Sequence, residues 1–276
     1  MTSAGDALFE LCRKLAASPT ADLDAGLLLA HVLGLSRAGL AAAPERELSK
    51  SQAAQLAKLA ERRRHGEPVA YLTGRRAFWT LDIEVTPAVL VPRPETELLV
   101  EAALDALKAT SNPAVLDLGT GSGAIALAIA SERPDAMVTA IDRSGAALEV
   151  AARNAKRLQV VNVRFLQGSW YKPAGAECFH AIVSNPPYVA DGDPALEALS
   201  HEPRDALVAG PQGQDALQAI CAGANARLAP GGFLIVEHGA SQGAAVRAMM
   251  TAAGLAGIAT LDDLAGLERA TRSSAR

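Results

Sequence analysis

Cysteine is scarce in this chain of 276 residues. The three present, Cys12, Cys178 and Cys221, are odd in number, far apart and in no Cys-x-x-Cys spacing. A disulfide framework and a thiolate metal site are therefore excluded, and no metal is expected. Long apolar runs are also missing: although 50% of the residues are hydrophobic, no run approaches the roughly 18 uninterrupted apolar residues of a membrane span. The N-terminal stretch "MTSAGDALFELCRKLAASP" carries Asp6 and Glu10 and lacks a basic start followed by an apolar block. It does not read as a signal peptide. Nor is there an excess of positive charge. A net charge of -4 and a pI near 5.8 give no general attraction to phosphate backbones, so no direct nucleic-acid partner is expected. Basic residues cluster only in "ERRRH" (Glu61 to His65) and "GRR" (Gly74 to Arg76), a pattern expected of a solvated helix face. Internal repeats and low-complexity linkers are absent. What is left is a globular protein of a reducing cytoplasm, off the membrane and read as a monomer, with one large domain and a smaller companion.

The pattern of apolar residues changes near residue 76. Before it, Leu8, Leu11 and Leu15, then Leu23, Leu27, Leu28 and His31, then Leu56 and Leu59 recur at helical spacing. This predicts a small helical domain over residues 1–76. Next, "TLDIEVTPAVLV" alternates Leu81, Ile83 and Val85 with acids and turns near Thr86-Pro87 into Ala88 to Val91, which predicts a β-hairpin linker within residues 77–91. Over residues 92–276 short apolar runs alternate with helical stretches. The runs are "AVLDL" (114–118), "MVTAI" (137–141), "VRFL" (163–166), "HAIVS" (180–184) and "FLIVE" (233–237). Between them, helices are expected at Ala124 to Ser131, Gly145 to Leu158 and Asp215 to Leu228. That rhythm makes the fold class α/β, with a mostly parallel sheet covered on both faces.

The first run leads into "DLGTGSGAIALA", Asp117 to Ala128. Closely spaced glycines permit a tight strand-to-helix turn and let backbone amides approach a ligand. Gly119, Gly121 and Ala124 also satisfy the dinucleotide pattern, and Asp142 follows the second strand where a ribose-binding acid belongs. The spacing thus fixes a nucleoside and leaves open a nicotinamide or an S-adenosylmethionine cofactor. Asp117 tilts the choice, because a carboxylate there could hold an ammonium group and would repel a pyrophosphate.

The run "HAIVS" enters Asn185-Pro186-Pro187-Tyr188, and consecutive prolines end a strand by removing backbone donors. In an open parallel sheet ligands lie beyond the carboxyl ends of the strands, so Asn185 and Gly119 would share one rim. The Asn-Pro-Pro backbone offers carbonyl acceptors, Asn185 adds its side-chain oxygen, and Tyr188 offers a flat face. Such a set suits a planar NH₂ group that must present its nitrogen to an electrophile, and the methyl of a sulfonium is one.

Together these segments resemble the glutamine N5-methyltransferases that modify bacterial peptide-chain release factors. The resemblance covers nearly the whole chain. It includes "LLLAHVLG" (Leu27 to Gly34), "PVAYLTGRRAFW" (Pro68 to Trp79), "VPRPETELLVE" (Val91 to Glu101), the glycine loop, the NPPY tetrad, "EPRDALVAGPQG" (Glu202 to Gly213) and "GGFLIVEHG" (Gly231 to Gly239). It implies a helical factor-recognising domain, a hairpin linker and a class I methyltransferase domain, Rossmann-like, with seven strands of which the last pair is antiparallel. It further implies methylation of the glutamine in a Gly-Gly-Gln loop, with release factors as protein substrate and S-adenosyl-L-methionine as cofactor. Carried onto this chain, Gly119, Thr120, Gly121, Ser122 and Gly123 would cradle the methionine part and Asp142 would hold the ribose, with Asp117 as a further cofactor-binding residue, its carboxylate placed for the ammonium group. Trp170 would border the adenine. Asn185 would touch cofactor and substrate, and Pro186, Pro187 and Tyr188 would complete the glutamine pocket. One departure is Ser169, where relatives often carry an acid beside that tryptophan. His201 and His238 read as structural histidines.

Rival readings make distinct demands. A DNA adenine-N6 methyltransferase needs a basic groove and a base-reading domain. A nicotinamide oxidoreductase has no use for NPPY, and a binding module would tolerate its loss. Within the family, an enzyme for a glutamine of a large-subunit ribosomal protein is the nearest alternative.

Overall fold

A computed structural model describes residues 2–275. The chain divides into two compact units, one ending at Arg75 and one beginning at Arg76.

The first unit is helical: α1 (Ala4–Lys14), α2 (Ala21–Leu33), α3 (Arg37–Ala42), α4 (Lys50–Arg64) and α5 (Val69–Thr73). Its helix starts are set by short polar side chains. The Ser3 hydroxyl accepts from the Asp6 N–H at 3.1 Å. Ser49 and Gln52 form a reciprocal capping box at 3.2 and 3.0 Å. Leu11, Leu15, Leu28, Leu29, Leu33, Leu56 and Leu59 form its core. The buried face of α2 is rotated from the expected one, with Leu28, Leu29, Val32 and Leu33 inside while Leu23 and His31 are exposed. The triple-leucine run satisfies more than one helical register, so its spacing alone did not fix the face.

The basic run is only in part a solvated face. Arg62 and Arg64 pair with Glu67 and Glu61 at the surface, but Arg63 turns inward to Asp24 at 2.7 Å. Asp24 also accepts from the hydroxyls of Ser18 at 2.7 Å and Thr20 at 3.0 Å. Arg63 therefore latches α4 onto the start of α2.

A hairpin begins at the boundary, with β1 (Arg75–Phe78) starting one residue before the second unit and pairing with β2 (Leu81–Glu84) as a two-stranded sheet. The sequence pattern sought the partner of Leu81–Glu84 downstream, at Ala88 to Val91, whereas the partner lies upstream. The turn is made at Trp79-Thr80, where Trp79 takes a positive φ of 56°, and its N–H donates to Glu97 at 2.8 Å. A tryptophan in that conformation carries no turn signature that sequence can show.

There follow α6 (Glu97–Ala106), β3 (Ala114–Leu118), α7 (Ala124–Glu132), β4 (Met137–Asp142), α8 (Gly145–Leu158), β5 (Val163–Gln167), β6 (Phe179–Ser184), α9 (Ala195–Ala198), α10 (Asp215–Ala224), β7 (Leu228–Glu237), α11 (Gly243–Ala252), β8 (Ala256–Asp262) and β9 (Glu268–Ser274). The seven-stranded sheet has the order β5-β4-β3-β6-β7-β9-β8. Its first five strands are parallel, and β9 runs antiparallel to both neighbours. This is the class I methyltransferase, Rossmann-like arrangement. Central positions such as Leu116, Val138, Ile182 and Ile235 are fully buried, as a sheet covered on both faces requires. The expected helix from Asp215 stops at Ala224, and Leu228 already pairs with Phe179. A register shift between Phe179 and Ala181 absorbs Pro230-Gly231-Gly232 within β7. The feature that positions the site is the reversal of strand order: from central β3 the chain moves out to β4 and β5, then returns to β6 on the other side.

Candidate active site

Leu118 and Ser184 are register partners at the carboxyl ends of β3 and β6. Ser184 Oγ ties them further by donating to the Leu118 carbonyl at 2.6 Å. The next residues, Gly119 and Asn185, therefore leave the sheet side by side, at the point where open α/β sheets bind ligands. A cleft of about 1020 Å³ opens there.

One side of the cleft is the glycine loop. The amides of Gly119 and Thr120 donate to the Ile141 carbonyl at 2.8 and 3.0 Å. Gly119, Gly121 and Gly123 take φ of 74°, 56° and 83°, left-handed values that a side chain would strain. Gly121 N–H donates to Asp142 Oδ2 at 2.9 Å, and Ser144 N–H to Oδ1 at 2.8 Å. Each carboxylate oxygen keeps a lone pair, so Asp142 can still accept two ribose hydroxyls. Asp117 lies beneath the loop, fully buried, and outside the cleft lining. Its Oδ2 accepts from Thr120 Oγ1 at 2.6 Å while Oδ1 has no partner. Burial pushes its carboxyl up to about 7, against the opposing help of Thr120 and the Ala126 amide. Trp170, at a positive φ of 47°, and Ser169 border the same side.

The other side is the tetrad. Asn185 and Pro187 line the cleft, Pro186 is buried, and Tyr188 stands behind the lining. Asn185 Nδ2 donates to Thr96 Oγ1 at 3.0 Å. Thr96 Oγ1 donates to Glu237 Oε2 at 2.7 Å, and the Tyr188 hydroxyl donates to Glu237 Oε1 at 3.1 Å. Glu237 is buried at the end of β7, and burial raises its carboxyl to about 7 although both hydroxyls favour the charged form. Burial and the adjacent carboxylate raise the Tyr188 phenol as well. The far wall is stitched to the tetrad: Val189 N–H donates to the Leu207 carbonyl at 2.9 Å and Ala209 N–H to the Val189 carbonyl at 3.0 Å. Glu202 accepts from Val91 N–H at 2.9 Å and from the Arg93 guanidinium, fixing the segment that precedes Thr96.

The cleft thus gathers Gly119, Thr120, Gly121, Ser122, Asp142, Trp170, Asn185 and Pro187. Asp117, Gly123, Pro186 and Tyr188 support it from behind. His238 is buried between the Gly239 carbonyl and Thr271 Oγ1, both at 2.9 Å. His201 is exposed and outside the lining. Thr96, Glu202 and Glu237 are participants without a local sequence signal for a role, although each lies in a stretch quoted above. Among the described residues no group of three or more His, Cys, Asp or Glu could hold a metal ion.

Two family models match: the PrmC N-terminal domain over residues 6–74 and the methyltransferase small domain over residues 94–212. The chain is 51% identical to the release factor glutamine methyltransferase of Burkholderia pseudomallei over 93% of each sequence. To that of Escherichia coli it is 45% identical, over 96% of each. Among solved structures it is similar to a methyltransferase from Pyrococcus furiosus, with a TM-score of 0.53, 20% identity and coverage of 79% of this chain and 98% of that one. At that identity the likeness is one of fold.

Proposed function

The chain belongs to the release factor glutamine methyltransferase family, and from that premise we propose that it methylates the side-chain amide nitrogen, N5, of the glutamine in the Gly-Gly-Gln motif of peptide-chain release factors. The reaction supports translation termination. The observation that carries this reading is the register pairing of Leu118 with Ser184, which sets the glycine loop and Asn185-Pro186-Pro187-Tyr188 on one rim. The methyl donor is S-adenosyl-L-methionine, and its fit rests on the loop's left-handed glycines, the spare acceptor capacity of Asp142 and the unpartnered Oδ1 of buried Asp117 beneath the loop.

When bound, that cofactor supplies an electrophilic methyl on a sulfonium. Gly119 to Gly123 would hold its methionine part, Asp142 its ribose, and Trp170 with Ser169 its adenine. A hydroxyl at Ser169 accepts from adenine more weakly than a carboxylate would. An amide nitrogen is a poor nucleophile, because its lone pair is shared with the carbonyl. Asn185 Oδ1 and the Pro186 carbonyl accept its two N–H groups, raise electron density on nitrogen and aim it at the methyl. Pro187 closes the pocket beside the amide plane, with Tyr188 packed behind it. Forming the N–C bond would break the S–C bond and leave a neutral thioether, and the methylated nitrogen, cationic at that point, would give its proton to water, so no strong base is required. Positioning and fixed dipoles supply the rate, and each well-placed group can contribute several kcal/mol.

The helical unit recognises the factor, and the chain works in the cytoplasm as a monomer, without direct contact to nucleic acid or membrane. No helix among the described residues is long and apolar enough to cross a membrane. The test is mass spectrometry of a release factor incubated with this protein and methyl-labelled S-adenosylmethionine. One labelled methyl on the Gly-Gly-Gln glutamine is expected. A label found only on a large-subunit ribosomal protein, or on DNA, would overturn the assignment.

A further inference from the structure

Asn185 can serve as an acceptor only if the right end of its amide faces the glutamine. An amide presents an oxygen at one end and an NH₂ at the other, and the two ends are nearly equal in size. If Asn185 turned over, it would offer donors to a substrate NH₂ that has only donors. Something must therefore hold the orientation.

We propose that Thr96 and Glu237 are positioning residues that lock the Asn185 amide with Nδ2 turned away from the substrate and Oδ1 toward it. The proposal rests on the reading of Asn185 as the acceptor for the glutamine amide. A threonine hydroxyl has one proton. Thr96 Oγ1 gives it to Glu237 Oε2 at 2.7 Å, so toward Asn185 it can only accept, and only the NH₂ end can meet it at 3.0 Å. Glu237 holds this polarity because a carboxylate has no proton to return. Its second oxygen accepts from Tyr188 at 3.1 Å, so one buried carboxylate sets two hydroxyl rotors of the same pocket. None of these contacts is local, as the three pairs are 89, 141 and 49 residues apart in sequence.

A protonated Glu237 would remove the lock. Its proton could go to Thr96, whose own proton could then be donated to Asn185 Oδ1 and invert the amide. The groups that face Glu237 are Thr96, Tyr188, Arg269 and Glu95, with Arg93 acting on Tyr188 and Asp263 paired to Arg269. Arg269 favours the charged form, whereas Glu95 and burial oppose it.

The test compares Thr96→Val, Thr96→Ser, Glu237→Gln and Asn185→Ala with the full-length protein, measuring kcat and KM on release factor and cofactor affinity by calorimetry. Thr96→Val should lower kcat about tenfold or more with KM and cofactor affinity within about twofold. Thr96→Ser, which keeps the hydroxyl, should retain most of kcat. Wild-type kcat should fall as pH drops below 7, and Glu237→Gln should be slow at pH 8 and lose that fall. Wild-type kcat in Thr96→Val, beside an impaired Asn185→Ala, overturns the lock and leaves the proposed function standing. An unimpaired Asn185→Ala overturns the acceptor reading itself. Should Thr96→Val fail to fold, the pH profiles decide: in an Asp117→Asn background the acid limb should shrink when Glu237→Gln is added, and a limb identical with and without it overturns the proposal.

Discussion

The two sides of the cleft are built by different means. The glycine-loop side is held by backbone amides and by acids close in sequence: Asp142 lies 21 residues from Gly121, and Asp117 three from Thr120. The tetrad side is held by side chains far apart in sequence, 89 residues for Asn185 with Thr96 and 141 for Thr96 with Glu237. The first is one βα unit and its neighbour, so a short stretch of chain defines it. The second needs the sheet assembled, because Glu237 closes β7 and Asn185 follows β6. On the proposed assignment, the cofactor side is encoded locally, while the acceptor that must choose one kind of nitrogen is set by the tertiary fold.

Substitution on each side should separate the two. Asn185→Ala leaves the prolines and β6 in place but removes the oriented oxygen. If that oxygen aims the nucleophile as proposed, kcat should fall on the order of 100-fold with factor binding little changed, by analogy with the loss of one preorganised polar group in other active sites. Asn185→Asp sharpens the point. It keeps acceptor oxygens but adds charge near the sulfonium, stabilising the cationic ground state, so cofactor should bind well and react slowly. Single-turnover kinetics with circular dichroism read both variants, and an unaltered rate in Asn185→Ala would reduce the tetrad to a turn.

On the opposite side Asp142→Ala should show the reverse pattern. On the proposed assignment, losing charge-assisted contacts to the ribose would cost roughly 1.5 to 3 kcal/mol of cofactor binding, and the amides of Gly121 and Ser144 lose their acceptor as well. Calorimetry should find affinity reduced by about ten- to a hundredfold, with kcat at saturating cofactor nearly kept. Unchanged affinity would remove Asp142 from the site.

The same contrast explains what the sequence could show. Leu118 and Ser184 ended readable apolar runs, Gly119 to Gly123 carried a backbone requirement that only glycine meets, and Asp142 sat at the end of the next strand. Each signal was local. Thr96 and Glu237 lie in plain view in "VPRPETELLVE" and "FLIVE", yet nothing local in either stretch marks a threonine after a proline-rich turn or a glutamate ending a strand as part of a site. Only the sheet order brings them together. The hairpin shows the same limit, because its turn residue Trp79 is held by Glu97 and Glu132 through two hydrogen bonds at 2.8 and 2.7 Å, neither of them local. The strands β8 and β9 were visible only through the family resemblance, their sequences "AGIATLD" and "ERATRSS" being too weakly alternating to announce a sheet.

Each side also carries one buried carboxyl whose titration should be measurable. Folding raises Asp117 from 3.8 and Glu237 from 4.5 to about 7 by burial. With the native state binding these protons more tightly, their stabilising effect is complete below the unfolded values and is lost as pH rises toward 7. Between about pH 5.5 and 7 the loss should reach roughly 2 kcal/mol per carboxyl, seen as a falling Tm in cofactor-free protein. Asp117→Asn and Glu237→Gln should each flatten part of the slope. A Tm that rises over this interval, or a slope untouched by both substitutions, would show that neither carboxyl is buried in the manner described.

The smallest effect on chemistry is expected next door to Glu237. His238 follows it directly, and along an extended chain successive side chains point to opposite faces. Its ring is accordingly turned from Thr96 and Tyr188 toward the Gly239 carbonyl and Thr271 Oγ1, and Thr271 in turn meets Thr260 Oγ1 at 3.1 Å. Burial lowers its basicity, which favours the neutral ring that donates to one partner and accepts from the other. His238→Leu removes both bonds and leaves buried polar groups unpaired, a loss of about 1 to 3 kcal/mol of stability. Chemical denaturation should report that loss while kcat on release factor at 25 °C stays at the wild-type value. A fall in kcat with unchanged stability would instead extend the long-range machinery of the tetrad side one residue past Glu237.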